Sequence, residues 1–436
     1  MMNDNNSGLI GKNFINSLLN DTNAIMSSYV IWKKQKEIRG SINFFPNEMP
    51  FNDNYLIIAG IDEIVGLINS FKFDRSDCDF LKEKMPYLDN EFLDYLRSLQ
   101  LDDIVLYGYD NGSKIESTNV PILTLIGPLT KLKLLNYPIT NLLSFSSLIS
   151  TNSVRMKIES ERNKKMNLIE MGLRRAQGPL AGLISSKYCY LSFDAVSNVL
   201  SGCLYNIPTL GTMAHAYVMS YKGIKQEDFI KNSNPLYSLC IDVREKLCFD
   251  HTNLSELYAF ASFTSLYKDS SVLLVDTYDT LESGIKNSII IGVAIKKLKN
   301  YAIKGVRLDS GDLAELSKKA RILFKKYSEE TGVEELNRIL ISASNDINEK
   351  SIKSFNEQGH AIDTFGIGTH LVTCQRQPFL YLNNKYSLEI DENAIKTLKD
   401  NGSKILIKEK VNFNQTNLIN SKKLTEDNIN QLKKRK

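Results

Sequence analysis

From about residue 168 to residue 369 the hydrophobic positions follow one rhythm: a short apolar run, then small or charged residues, then a helix-period stretch. SVLLVDTY (271–278) leads into SGIKNSIIIGVAIKKLK, AIKGVRLDS (302–310) into GDLAELSKKARILFKKYSEETG, RILISASND (338–346) into INEKSIKSFNEQG, and IDTFGIGT (362–369) follows. Strand runs without polar alternation, separated by helices, predict parallel pairing with helices outside, at about 25 to 35 residues per unit. NLIEMG (167–172) running into LRRAQGP, and NIPTLGTM (206–213) running into AHAYVMSY, repeat the pattern less regularly. Chemistry-bearing residues gather where these runs end: Arg174 and Arg175, Thr212 and His215, Asp276, Arg307 and Asp309, Asn345 and Asp346, and Gly366 to Thr369. A barrel of parallel strands brings such ends to one mouth, which an open sheet does less completely. The expected fold class is therefore α/β, an irregular or incomplete parallel (β/α) barrel over residues 151–378.

Residues 14–150 mix helical patterns (IDEIVGLINSF, EFLDYLRSLQ) with strand-like pieces (NYLIIAG, DIVLYGY, VPILTLIG) and show no strict alternation, which predicts an α/β domain over 1–150, with 379–436 packing on it. The closing LTEDNINQLKKRK reads as a solvated end. At 436 residues and 42% hydrophobic the chain has material for two such domains.

Charge and cysteine content narrow the function classes. The net charge is +4, with Lys and Arg interspersed among Asp and Glu, so no basic face recommends a nucleic acid. MMNDNNSG lacks an apolar core, and runs such as SIIIGVAI are far shorter than a bilayer span, so no membrane partner is expected. Cys78, Cys189, Cys203, Cys240, Cys248 and Cys374 form no CxxC pair, which argues against a disulfide framework or zinc site and fits a reducing, cytoplasmic location.

The motifs each carry a functional and a structural reading. In GIGT (366–369) Gly366 and Gly368 allow close backbone approach to an anion and Thr369 adds a hydroxyl, although a tight turn also explains it. Arg174 and Arg175 suit carboxylate or phosphate, or form a surface pair. His215 is a catalytic or a structural histidine; His251 and His360 read as structural, and His370 as either. Asp279 reads as a helix cap and Asp276 as the better ligand; Asn345 reaches toward the site, while Asp346 or Asn348 caps the next helix. In RLDSGDL, capping accounts for Ser310 and Asp312, and Gly311 gives the turn. Arg307 and Asp309 lie two apart on one strand face, where a cation beside a carboxylate suits a sugar phosphate.

In their order, EMGLRRAQGP, FDAVSNVLSG, GTMAHAY, LLVDTYDTLESG, GVRLDSGDL, SNDI and IDTFGIGTHLVTCQRQP resemble nicotinate phosphoribosyltransferases, type II phosphoribosyltransferases of NAD salvage. The resemblance implies an N-terminal α/β sandwich domain, an irregular barrel, an active site in a homodimer, and transfer from phosphoribosyl pyrophosphate (PRPP) to nicotinate coupled to ATP hydrolysis through a phosphohistidine. It makes His215 the phosphorylated residue, places Thr212 and Arg307 against nicotinate and Thr369 against the PRPP phosphate, and implies Mg²⁺ at Asp309. Arg174, Arg175, Asp276, Ser310, Gly311, Asn345, Gly366 and Gly368 join these as substrate-binding candidates. Departures concentrate outside the barrel. In LLNDTNAIM, Asn23 stands where the family has a Tyr that stacks on the base. Pro46 replaces an Arg in FFPNEMPF, Phe51-Asn52-Asp53 replaces FGG, LLNY ends at Tyr137 where the family has LLET, and Leu180-Ala181-Gly182 follows QGP. Past residue 380 the family's lysine-plus-SEDP segment is not found. These changes raise the alternative of a catalytically impaired homologue that binds phosphoribosyl ligands or regulates an active partner.

Overall fold

The computed structural model describes residues 16–35, 38–299, 301–388, 392–400, 404–407 and 415–434. The chain divides into two units, Met1–Val154 with Cys374–Lys436, and Arg155–Thr373.

The first unit is built on a five-stranded antiparallel sheet in the order Leu382–Ser387, Arg39–Pro46, Leu123–Pro128, Val105–Gly108, Lys404–Ile407. Pro46 falls on the last residue of its strand, opposite Leu382, where a missing N–H is tolerated. NYLIIAG contributes only Leu56–Ile57, paired with Lys114–Ile115 in a separate ribbon.

One helix, Leu129–Ser160, has no counterpart in the sequence reading, and the boundary expected at residue 150 falls inside it. Pro138 lies within it and, lacking an N–H, leaves the carbonyl of Leu134 without its helical donor. Asn20 supplies the replacement, donating from Nδ2 to Leu134 O at 2.6 Å. The expected solvated tail is also corrected. It forms the helix Gln415–Lys433, which buries Thr425, Asn428, Ile429 and Leu432, and Asn428 Nδ2 donates to Gly112 O at 2.9 Å. The spacing of these four residues gives the helix one inward stripe.

The second unit carries a six-stranded sheet, parallel throughout, in the order Ala195–Val196, Asn167–Glu170, Thr364–Ile367, Leu340–Ala343, Gly305–Leu308, Val272–Leu274. In this order the first strand along the chain pairs with the last, while the second and third do not pair. The sheet is therefore a barrel opened along one seam. Leu273, Val306, Leu308, Ile341, Phe365 and Ile367 are completely buried, as strands covered on both faces require.

The strand expected in NIPTLGTM does not form. At the seam the chain makes a single parallel bridge, Val196 to Thr209, extended by Leu210 N–H donating to Val196 O at 3.0 Å. Pro208 has no N–H to continue a ladder there.

Beneath the turn Thr280–Ile285, Glu256 is completely buried. Its Oε2 accepts from Ser283 Oγ at 2.6 Å and Asn287 Nδ2 at 2.9 Å, and no cation is among these partners. Burial dominates and pushes its carboxyl up to about 7. A raised folded-state pKa contributes stability that is fully present below the ordinary carboxylate value and lost as pH rises toward about 7. Glu256→Gln removes that dependence. The variant's melting temperature relative to wild type should rise between pH 5 and pH 8; a difference independent of pH in thermal melts would refute the assignment.

Candidate active site

Arg307 is the third residue of the strand Gly305–Leu308, and Asp309 follows its end. Because alternate strand residues share a face, the two side chains meet, and Arg307 Nη2 donates to Asp309 Oδ1 at 3.0 Å. The guanidinium reaches the end of the neighbouring strand and the seam segment, donating from Nε to Ser344 Oγ at 2.7 Å and from Nη1 to Thr212 Oγ1 at 2.9 Å. Ser344 follows the neighbouring strand Leu340–Ala343, whose register sets Ala343 beside Leu308, and it also donates to Asp309 Oδ1.

Asp276 braces this arrangement from the strand Val272–Leu274. Its Oδ2 accepts the Asp309 N–H at 2.8 Å and the Ser310 hydroxyl at 2.6 Å, and its side chain is only 1% exposed. Ser310, expected as a cap, is thus part of the site. The helix Leu313–Thr331 is capped by Asp312, which accepts from Glu315 N–H at 3.0 Å. Asp279 caps the turn Thr280–Ile285 as expected.

His215 opens the short helix His215–Met219. Its Nδ1 lies 3.1 Å from Thr277 Oγ1, while Nε2 faces both carboxylates, 3.5 Å from Asp309 Oδ2 and 3.9 Å from Asp276 Oδ1. Asp276 Oδ1 is buried and has no hydrogen-bond partner among the described residues. Burial alone would push the Asp309 carboxyl up. The Ser344 hydroxyl and the Arg307 guanidinium outweigh it and hold the group below the ordinary carboxylate value. Two carboxylates and a guanidinium therefore share one hydrogen-bond network, and the imidazole of His215, held by the Thr277 hydroxyl, faces it at 3.5–3.9 Å.

The network opens on a cavity of about 480 Å³ inside the barrel, lined near its upper end by Thr212, Arg307, Ser344, Gly366 and Met171 and reaching Asn167 and Lys304 at the opposite strand ends. A closed barrel is normally filled by side chains, whereas here the residues on the face of Arg307 include Gly305, Ser342, Thr364 and Gly366, which are small.

The remaining candidates lie on adjoining strand ends. Arg174 and Arg175 occupy the 3-10 turn Leu173–Arg175 after the strand has ended. Both are exposed, and neither has a hydrogen-bond or ion-pair partner among the described residues. Glu170, buried just before them, accepts from Gly172 N–H and from Ser186 Oγ and so holds the turn; burial raises its carboxyl above the ordinary value. Asn345 is exposed and adopts φ +81. Gly311 needs its freedom at φ +77. Gly366 packs closely, since a Cβ there would meet Met171 Sδ at 2.8 Å and displace that flexible side chain. Gly368 and Thr369 start the short helix Thr369–Val372. Thr277, Ser344 and Glu170 were missed in the sequence. Ser344 had a signal: it lies one residue past a strand end, next to the end that carries Asp309.

Two family models match the chain. The nicotinate phosphoribosyltransferase (NAPRTase) N-terminal domain covers residues 18–144, and the nicotinate phosphoribosyltransferase (NAPRTase) family covers residues 166–425. The chain belongs to this family. A nicotinate phosphoribosyltransferase of Dictyostelium discoideum is 38% identical over 84% of this chain and 63% of its own length; one of Arabidopsis thaliana is 36% identical over 88% and 72%. The chain thus spans under two thirds of the Dictyostelium protein. The crystal structure of human nicotinic acid phosphoribosyltransferase superposes with a TM-score of 0.74 at 28% identity, covering 84% of this chain and 74% of that one. The family match runs to residue 425, through a stretch where no family motif was legible.

Ser344→Ala tests the network. It leaves Arg307 Nε and Asp309 each short of a partner and should destabilise the protein by about 1–3 kcal/mol at neutral pH. A depressed carboxylate contributes stability above the ordinary carboxylate pKa and loses it as pH falls through its folded value. The gap between variant and wild type in denaturant melts should therefore be full at neutral pH and narrow in acid; a gap that widens in acid would count against the depressed Asp309.

Proposed function

We propose that the protein is an ATP-coupled nicotinate phosphoribosyltransferase, which converts nicotinate, PRPP, ATP and water to nicotinate mononucleotide, diphosphate, ADP and phosphate. The observation that carries this reading is His215 Nε2 set against Asp309 and Asp276 beside the Arg307–Thr212 pair. Family membership supports it.

Arg307 is oriented by three acceptors, and a guanidinium has five N–H donors, so N–H directions remain for the nicotinate carboxylate, with Thr212 alongside. The ring nitrogen is already nucleophilic and needs no base. As diphosphate leaves, C1 of the ribose becomes positively charged, and the ionised Asp309 is placed to stabilise it or to hold a ribose hydroxyl. The unpartnered Arg174 and Arg175, with Asn345, Gly311 and the Gly366–Thr369 loop, are assigned to the phosphates and ribose. Thr277 holds His215 Nδ1 and so leaves Nε2 as the atom that takes the phosphoryl group, which brings a charge of about −2 beside the site.

Among the described residues no group of three or more His, Cys, Asp or Glu side chains forms a metal cluster. The donor set nevertheless fits Mg²⁺, which is commonly held by one or two carboxylates together with substrate phosphates. Asp309 Oδ2 and Asp276 Oδ1 are the oxygens assigned to it, and the ion would neutralise charge on the diphosphate.

The family's dimeric site and a cytoplasmic location are part of the same proposal. No described helix is long and apolar enough to cross a membrane. The alternative, a homologue that binds PRPP without turnover, has Asn23 in its favour. Asn23 Nδ2, however, donates to the hydroxyl of Tyr137 at 2.5 Å, so a partly exposed aromatic ring stands beside the altered position. Tyr55 is buried, and Tyr29 packs against Trp32 and Phe92, so neither is as available as a platform.

Purified protein given nicotinate, PRPP, Mg²⁺ and ATP should form the mononucleotide, detected by chromatography. His215→Ala should keep a slow basal reaction and lose the stimulation by ATP. Arg307→Ala should lower kcat/KM for nicotinate by about ten- to a hundredfold, the worth of a charge-assisted hydrogen bond. Folded wild-type protein that binds PRPP yet makes no product would favour the homologue without turnover.

A further inference from the structure

His370 has no role in the reaction as described, yet its side chain is almost fully buried, at 8% exposed, close along the chain to Gly366 at the cavity. It follows Thr369 in the short helix after the strand Thr364–Ile367. Its Nε2 lies 2.7 Å from Asp346 Oδ1, in the turn after the neighbouring strand Leu340–Ala343. A carboxylate only accepts, so at this distance Nε2 carries the proton and donates. Asn348 completes the knot. Its Oδ1 caps the helix Glu349–Gln358, its Nδ2 donates to Asp346 O at 3.0 Å, and that nitrogen lies 3.4 Å from His370 Nε2.

The Asp346 turn is conformationally unusual. Asn345 and Asp346 are consecutive non-glycine residues with φ of +81 and +54. Asn and Asp tolerate the left-handed region better than other side chains, but two in succession persist only where surrounding contacts hold them. Asp346 is otherwise open, with its side chain 76% exposed, so ordinary core packing does not hold it. Capping, expected of Asp346 or Asn348, falls to Asn348 alone. Asp346 is thereby left to pair with His370.

We propose that His370 is a positioning residue, which through Asp346 locks the Asn345–Asp346 turn to the strand-to-helix junction Gly366–Thr369 and sets the spacing of the two segments that receive PRPP. The inference rests on the proposed function for the identity of the ligand. It makes no demand on the nicotinate contacts at Arg307 and Thr212, which lie on the strand Gly305–Leu308 and on the seam segment. Because Asp346 is exposed, the pair is screened and contributes more through its geometry than through charge.

The test measures KM for PRPP and for nicotinate separately, with PRPP binding followed by calorimetry. His370→Ala should raise KM and Kd for PRPP about tenfold, the worth of one charge-assisted hydrogen bond, with KM for nicotinate unchanged. His370→Gln places an amide N–H near the position of Nε2 and should restore most of the loss, whereas His370→Asn, whose amide reaches only the position of Nδ1, should not. Asp346→Gly relieves the left-handed backbone but removes the acceptor, and should behave like His370→Ala. Asp346→Gly with wild-type PRPP affinity would show that the turn needs only its conformation and would overturn the inference. Equal loss in His370→Gln and His370→Ala, or a parallel rise in both KM values, would also overturn it. Wild-type protein that fails to bind PRPP would instead refute the proposed function.

Discussion

The site depends on one guanidinium. Arg307 reaches Asp309 on its own strand end, Ser344 on the next, and Thr212 near the seam, so one side chain ties three separate chain segments together. This is possible because parallel pairing brings successive strand ends to the same edge, in a register that sets Ala343 beside Leu308. A shift of that register by one residue would turn Arg307 and Asp309 together away from Ser344. Asp276 then fixes the backbone beneath, through the Asp309 N–H and the Ser310 hydroxyl.

The same geometry explains the placement of charge. Each carboxylate near the site has a distinct set of donors, and those sets hold Asp309 ionised while burial drives Glu170 and Glu256 toward the neutral form. The second pair leave the charged site alone: Glu170 holds the turn that carries Arg174 and Arg175, and Glu256 supports the turn after Asp276. Each is satisfied by hydroxyl, amide or backbone donors of its own and so does not draw on the Arg307 guanidinium.

The first unit follows a different physical rule. Its antiparallel sheet recruits a strand from either side of the barrel sequence, Arg39–Pro46 pairing with Leu382–Ser387. Its longest helix accommodates Pro138 because Asn20, more than a hundred residues earlier, satisfies the carbonyl that proline leaves free. Local sequence shows the proline and not its remedy, so a reading by segments has no reason to run a helix through it.

The repeating unit of the barrel and the residues at most of its strand ends are legible in the chain alone. Those depend on hydrophobic period and residue type, which are local properties. RLDSGDL showed that Arg307 and Asp309 share a face, because side chains alternate along any strand. Tertiary structure decided which ends touch: His215 against both carboxylates, Ser310 recruited by Asp276 rather than to a helix cap, Asp346 turned to His370, and NIPTLGTM reduced to one bridge at the seam. It also decided that the closing helix is buried along one stripe, although its composition reads as a solvated tail. Hydrogen bonds between segments far apart in the chain depend on register and closure, and no local pattern of residues encodes either.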